Sequence, residues 1–211
     1  VRYSGFEGKL AMEGYDVLPA PANAKPVFRP SAATESAAHP DDIYWDNSIS
    51  PSVAGVGGQV RAATVYEGNF IVAGGLQVAG NVIAYYIASW DGSGWSPLGP
   101  GMSSAVNALT VYDGKLIAGG NFTMAGGSDA NRIAFWDGSG WSPLGSGLSG
   151  SATTLTVHDG KLIAGGRFTT AGSVAANYIA SWDGSSWSPL GSGLAGDYYT
   201  SVYALTVYDG K

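Results

Sequence analysis

The 211 residues carry 33 glycines, no cysteine, a formal net charge of −6 and only 12% charged side chains. With a pI near 4.6 and its ten Lys and Arg scattered singly, the chain excludes a phosphate-backbone partner, which would demand a basic stripe. The missing cysteines exclude a disulfide framework, and no apolar run approaches the roughly 18 residues of a membrane span. Hydrophobic residues at 45% and aromatics at 12% suffice for a buried core. Abundant glycine with few charges points to short strands joined by tight turns.

In chain order, Val1-Arg2-Tyr3-Ser4 has neither an initiator Met nor the look of a signal peptide, so the sequence reads as a processed or trimmed product. Phe6-Glu7-Gly8-Lys9-Leu10-Ala11 lines up with Tyr66-Glu67-Gly68-Asn69-Phe70-Ile71 and with Tyr112-Asp113-Gly114-Lys115-Leu116-Ile117, a worn copy of a repeat. Residues 18–42 break the pattern with five prolines (Pro19, Pro21, Pro26, Pro30, Pro40) and read as an exposed, partly extended Pro/Ala-rich insertion, either a plain loop or an arm that docks on a neighbouring subunit. Ile43-Tyr44-Trp45-Asp46 restores the register.

The repeat is clearest in Trp-Asp-Gly-Ser-x-Trp-Ser-Pro-Leu-Gly, which begins at Trp90, Trp136 and Trp182, a step of 46 residues each time. Each unit offers four β-type runs, such as Thr154–His158, Lys161–Ala164, Tyr178–Trp182 and Ser186–Leu190. Asp159-Gly160 should join the first two as a tight hairpin and Asp183-Gly184 the last two, because Asp-Gly tolerates positive φ. Pro97, Pro143 and Pro189 cannot donate to a ladder, which puts the fourth strand at an edge. Asp197-Tyr198-Tyr199-Thr200 lengthen the next step, and Ser201–Lys211 start a further unit that stops after one strand, so the chain is expected to continue past Lys211.

Four short antiparallel strands per 40–50 residues is the pattern of a β-propeller blade. The expected fold is therefore all-β: one β-propeller, or part of one, over 1–211, with about four complete four-stranded antiparallel blades plus one strand of a fifth. The units run roughly 1–59, 60–104, 105–150, 151–200 and an incomplete 201–211. Asp113-Gly114-Lys115-Leu116-Ile117-Ala118-Gly119-Gly120 followed by Trp136 and Trp141 resembles the kelch family of propellers, in which a strand ending in Gly-Gly precedes an aromatic and then a Trp. The chain is more closely similar to the regular Trp-Asp-Gly repeats of bacterial secreted and cell-surface proteins of uncharacterised function. A Trp that buries ~150–250 Å² contributes about 4–6 kcal/mol before entropy is subtracted, so the Trp pairs read first as core between blades and second as platforms for sugar rings.

No catalytic, cofactor or metal constellation emerges. The repeated Asp-Gly aspartates read as turn formers, and no Asp-x-Asp-x-Asp spacing suggests calcium. The Trp hairpin is a near miss to the Asp-box of sialidase propellers, and Arg2, Arg29, Arg61, Arg132 and Arg167 do not assemble into the arginine cluster of those enzymes by sequence reasoning. Copper chemistry of the galactose-oxidase kind lacks its Cys and has only His39 and His158. Variation between copies is the better guide to a binding face. Leu76, Asn121 and Arg167 are read as equivalents that follow Gly-Gly; Asp129 lies in the next loop, and Asp197, Tyr198 and Tyr199 in the insertion after 196. The expected function is a non-enzymatic extracellular or cell-surface binding or structural module. Its expected partners are other protein subunits or surface glycans, without nucleic acid, membrane insertion or cofactor. The alternative is a glycan-active enzyme or lectin at the channel mouth, with Asp129 and Asp197 as its acids. The lone last strand could complement another chain, giving a homo-oligomer or fibre.

Overall fold

The computed structural model describes residues 55–196 and 200–208 in full, and the backbone of 15–18 and 27–30. The chain divides into two compact units, Val1–Ser50 and Pro51–Lys211. In the first, β1 (Tyr15–Leu18) pairs antiparallel with β2 (Val27–Pro30), from Tyr15↔Pro30 to Leu18↔Val27. The Pro/Ala-rich stretch expected to be an insertion thus carries a strand, where Val27-Phe28 interrupts the prolines. The worn copy at 6–11 and the restored register at 43–46 lie outside the described residues.

The second unit is all-β among its described residues, with no helix. A two-residue strand, β3 (Val56–Gly57), precedes the first clear copy. That copy has β4 (Val60–Tyr66), β5 (Asn69–Gly74), a small hairpin of β6 (Val78–Ala79) and β7 (Val82–Ile83), then β8 (Ile87–Trp90) and β9 (Trp95–Pro97). The next copy repeats it as β10 (Val106–Tyr112), β11 (Lys115–Gly120), β12 (Met124–Ala125), β13 (Ser128–Asp129), β14 (Ile133–Trp136) and β15 (Trp141–Pro143). The third has β16 (Ala152–His158), β17 (Lys161–Gly166), β18 (Thr170–Ala171), β19 (Val174–Ala175), β20 (Ile179–Trp182) and β21 (Trp187–Pro189). Three antiparallel four-stranded sheets result, in the orders β4-β5-β8-β9, β10-β11-β14-β15 and β16-β17-β20-β21. The Pro-bearing strand is at the edge of each. Consecutive sheets meet through their first strands, β4 with β10 and β10 with β16.

The second strand reads Leu-Ile-Ala-Gly-Gly instead of alternating because both of its faces are covered. Leu116 and Ala118 pack with Tyr66, Ile71 and Trp141, whereas Ile117, between them, packs with Leu144, Leu162 and Trp182. Alternate side chains of one strand therefore enter two different cores. The first-to-second strand turns have two residues. Asp113-Gly114 has φ of 50° and 68°, and Asp159-Gly160 has 46° and 67°, the paired positive angles that match a hairpin's twist.

The third-to-fourth strand turns differ from expectation. Trp182 pairs with Trp187, so Asp183-Gly184 belongs to a four-residue loop. Its organiser is the Asp side chain: Asp183 Oδ1 accepts from the backbone N–H of Ser185 and of Ser186, both at 2.8 Å. Asp91 and Asp137 repeat the arrangement with Ser93 and Gly94 and with Ser139 and Gly140. The residues flanking this loop are directly opposed across the ladder, which brings the two Trp rings to 5.3–5.5 Å.

The second and third Trp pairs stand against the preceding copy. The Trp141 indole N–H donates to the Leu98 carbonyl at 2.9 Å and that of Trp187 to Leu144 at 3.3 Å. Trp141, Trp182 and Trp187 are buried. Residues 201–208 form no strand ladder among the described residues. They nevertheless take up the position of a next first strand. Val202 lies over Gly165 as Ala152 lies over Gly119, and its N–H donates to the Gly166 carbonyl.

Candidate functional site

The first strand of each copy contains one extra residue. Register shifts occur between Val60 and Ala62, between Val106 and Ala108, and between Ala152 and Thr154, which leaves Arg61, Asn107 and Thr153 as β-bulges. A bulge re-aims its side chain out of the ladder. The closing Gly-Gly explains itself here. A Cβ at Gly74, Gly120 or Gly166 would fall on the carbonyl oxygen of Gln59, Ala105 or Ser151, just before the bulge, so the last glycine of the second strand lets the two strands close.

The three bulge residues line one open cavity of about 480 Å³ with Asn121, Ser151, Arg167 and Tyr203. Tyr203 stands where the bulge falls in the fourth repetition of the first-strand sequence, and it is 72% exposed. An adjoining cavity of about 340 Å³ shares Ser151 and Arg167 and adds Arg132, Thr169 and Tyr178. All three arginines of Pro51–Lys211 therefore line these two hollows, a grouping that sequence reasoning did not assemble.

Hydrogen bonds tie the floor together across copies. The Arg61 guanidinium donates to Asn107 Oδ1 at 2.7 Å and to Gln59 Oε1 at 3.0 Å. The Asn107 amide donates to the Ala152 carbonyl at 3.1 Å and to Asn121 Oδ1 at 3.3 Å. The Thr153 hydroxyl donates to the Val202 carbonyl. Arg132 donates to the carbonyl of Asn121 at 2.9 Å. Among the described residues no carboxylate pairs with any of these arginines, and the one ion pair is His158 with Asp159 at the far turn, 3.3 Å.

Among the residues described in full, six of the seven acids gather at the other end of the strands, all but Asp129 of β13. Glu67, Asp113 and Asp159 occupy the first turns, and Asp91, Asp137 and Asp183 the Trp loops; Glu67 faces Gly138, and the Tyr112 hydroxyl faces Gly184. Seven residues of β4 separate the two ends by about 20 Å at ~3.3 Å per residue. That exceeds a Debye length of about 8 Å in physiological salt, so the acids do not neutralise the arginines. The Ser139 hydroxyl, with the N–H groups of Ser139 and Gly140, holds the Asp137 carboxyl down to about 2. The N–H groups of Ser93 and Ser186 lead the same downward effect on Asp91 and Asp183. Burial raises the Tyr66 phenol, helped by Glu67, and the Tyr112 phenol, helped by Asp113.

Of the residues singled out from sequence, Asn121 and Arg167 meet in the cavity. Leu76 is not their equivalent: it is fully buried, as are Phe122 and Phe168, and the Tyr86 N–H bonds its carbonyl as those of Arg132 and Tyr178 bond the carbonyls of Phe122 and Phe168. Gly75 holds the place of Asn121, since its N–H donates to Gln59 O as that of Asn121 donates to Ala105 O. Counting from the start of Gly-Gly was off by one residue because the first copy has Ala73-Gly74-Gly75 where the others have Ala-Gly-Gly one position earlier. Asp129 lies in the β12–β13 hairpin, which packs on edge strand β15, and it lines neither cavity. Asp197, Tyr198 and Tyr199 lie outside the described residues. Sequence reading missed Arg61, Asn107, Thr153 and Tyr203. Their signal was available, because the residue after Val60, Val106, Ala152 and Val202 differs in every copy while its neighbours stay small, Val or Ala before it and Ala or Thr after it.

Chemically, the cavity lining offers guanidinium, amide, hydroxyl and phenol groups, and no carboxylate or imidazole. It can donate many hydrogen bonds and attract negative charge. It holds no pair for carboxylate acid–base chemistry. Among the described residues no group of three or more His, Cys, Asp or Glu could hold a metal ion.

Residues 113–134 and 158–180 match the domain of unknown function (DUF5122) beta-propeller. Both segments run from the first turn or its edge into the start of the third strand, and they include Asn121, Arg132 and Arg167. No curated protein matches the chain. The match and the repeated four-stranded sheets together support a propeller-type repeat.

Proposed function

We propose that the sheets are blades of a β-propeller that works as a non-enzymatic binding module, with its ligand site in the cavity lined by Arg61, Asn107, Thr153 and Arg167. One observation carries this reading. The bulges that break an otherwise repeated first strand all deliver copy-specific polar side chains to the same hollow. An extracellular or cell-surface setting, with glycans or other protein subunits as partners, is the context we infer from the lightly charged, acidic, highly regular repeats. The arrangement of the Trp pairs supports the kelch-like comparison, because the second and third pairs pack against the copy before them.

More blades than the three sheets belong to the ring. Val60 and Phe70 are 43% and 45% exposed, whereas their counterparts Val106 and Ala152, and Leu116 and Leu162, are fully buried by a preceding copy. The flank of the first sheet is shaped for another blade, supplied by this chain or by a neighbour through strand complementation.

The test is a glycan and protein array probed with the purified chain and with Arg61→Ala/Arg167→Ala, alongside glycosidase assays. Capture by the native chain that the double variant loses, with no turnover, is the expected result. Turnover that survives Asp129→Asn but not Arg61→Ala/Arg167→Ala would replace the binding module with an enzyme.

A further inference from the structure

Resting on that reading of the cavity, we infer that its ligand is an acidic glycan whose oxyanion, a uronate carboxylate or a sulfate ester, docks between Arg167 and Arg61. Arg167 is exposed at the rim, with no ion-pair partner among the described residues. Arg61 spends two donors on the neutral acceptors Asn107 and Gln59 and retains its full charge. Two guanidinium groups, Arg61 held by its hydrogen bonds and Arg167 exposed beside it, stand without counterions among the described residues in a chain of net charge −6. A planar fork of donors suits an oxyanion better than any other common group.

The rest of the lining favours a sugar as the carrier of that anion. Asn121 and Ser151 supply an amide and a hydroxyl suited to ring hydroxyls, Asn107 and Thr153 brace the floor through their own hydrogen bonds, and the Tyr203 ring stands 72% exposed beside them, a flat apolar surface of the kind on which sugar faces stack. The lining has no apolar pocket for a peptide side chain. The second hollow, joined through Arg167 and Ser151 and lined by Thr169 and Tyr178, extends the surface in one direction, as an oligomer requires. Both volumes lie in the range of small-ligand sites.

The experiment is calorimetric titration of the full chain with three probes: an oligogalacturonate, a sulfated oligosaccharide and a neutral oligogalactose of equal length. The native chain is expected to bind at least one acidic probe, with affinity falling as salt is raised. Arg167→Ala should weaken that binding by about ten- to a hundredfold, the worth of a hydrogen bond to a charged group. Lys161→Ala, at the opposite turn, should leave it unchanged. The preferred acidic probe distinguishes carboxylate from sulfate. Equal binding of neutral and acidic probes, lost in Arg61→Ala/Arg167→Ala, would overturn the anion inference and leave the cavity as the ligand site. Acidic-probe binding untouched by the double variant would overturn both. Binding of none of the three, with capture of acidic peptides by the same arginines, would overturn the glycan in favour of a peptide.

Discussion

The two ends of each sheet have opposite characters. At the turn end the copies are near-identical: Asp-Gly hairpins, Asp-capped Trp loops, carboxylates held ionised by local N–H and hydroxyl donors. At the bulge end the equivalent residues are Arg61, Asn107, Thr153 and Tyr203, then Gly75, Asn121 and Arg167, and the charge is positive. A repeated residue answers a demand that recurs from copy to copy, such as closing a turn or seating a Trp on its neighbour. A residue that differs from copy to copy answers a demand made once, and under the proposed function the four such residues around one hollow share a single task.

The comparison predicts where substitutions hurt folding and where they hurt binding. Trp141→Ala, which removes a buried indole and orphans the Leu98 carbonyl, should cost about 3–5 kcal/mol of stability in chemical unfolding. A cost under about 1 kcal/mol would mean the Trp pairs do not hold consecutive sheets together. Gly120→Ala places a methyl on the Ala105 carbonyl and should cost at least the ~1–3 kcal/mol of an overpacked core. Gly114→Ala, where nothing lies within 4 Å but φ is +68°, should cost less, through backbone strain alone. A reversed order would contradict the role given to Gly-Gly.

Acid should loosen the turn end first. The Asp137 carboxyl sits at about 2, below its ordinary 3.8, so ionisation favours the folded state. That stability is complete above the unfolded value and is lost as pH falls through the folded one. Thermal melts from pH 4 to pH 2 should therefore show Tm falling in the native chain. Asp91→Asn/Asp137→Asn/Asp183→Asn should start lower and fall less. Parallel curves would show that the Asp-capped loops carry no pH-dependent stability. The smallest effect on folding belongs to Arg167→Ala, expected within about 0.5 kcal/mol of the native chain because the side chain is exposed. Its cost should appear in ligand capture alone.

Much of the scaffold was legible in the sequence because it is written three times. The 46-residue step, the edge prolines and the Asp113-Gly114 and Asp159-Gly160 turns all follow from local rules that neighbouring copies reinforce. The Trp loops were misjudged because Asp-Gly was read as a two-residue turn when Ser185, Ser186 and the Asp183 carboxylate make a longer one. The site was half legible. Asn121 and Arg167 stood out by variation, but Leu76 was matched to them across a slipped register. Arg61 and Asn107 stayed hidden because a bulge, which no propensity marks, turns them out of the ladder. The clustering of three single arginines depends on sheets meeting through their first strands, a long-range relation that no segment states by itself.

The most direct test maps amide chemical-shift changes as an oligogalacturonate is titrated into the isotope-labelled chain. The account predicts that the largest changes fall at Arg61, Asn107, Asn121, Thr153 and Arg167, with Gly114, Ser139, Gly160 and Ser185 unmoved. Shifts concentrated at those four turn residues would contradict it, placing the ligand on the repeated end and leaving the arginine-lined hollow without its assigned role.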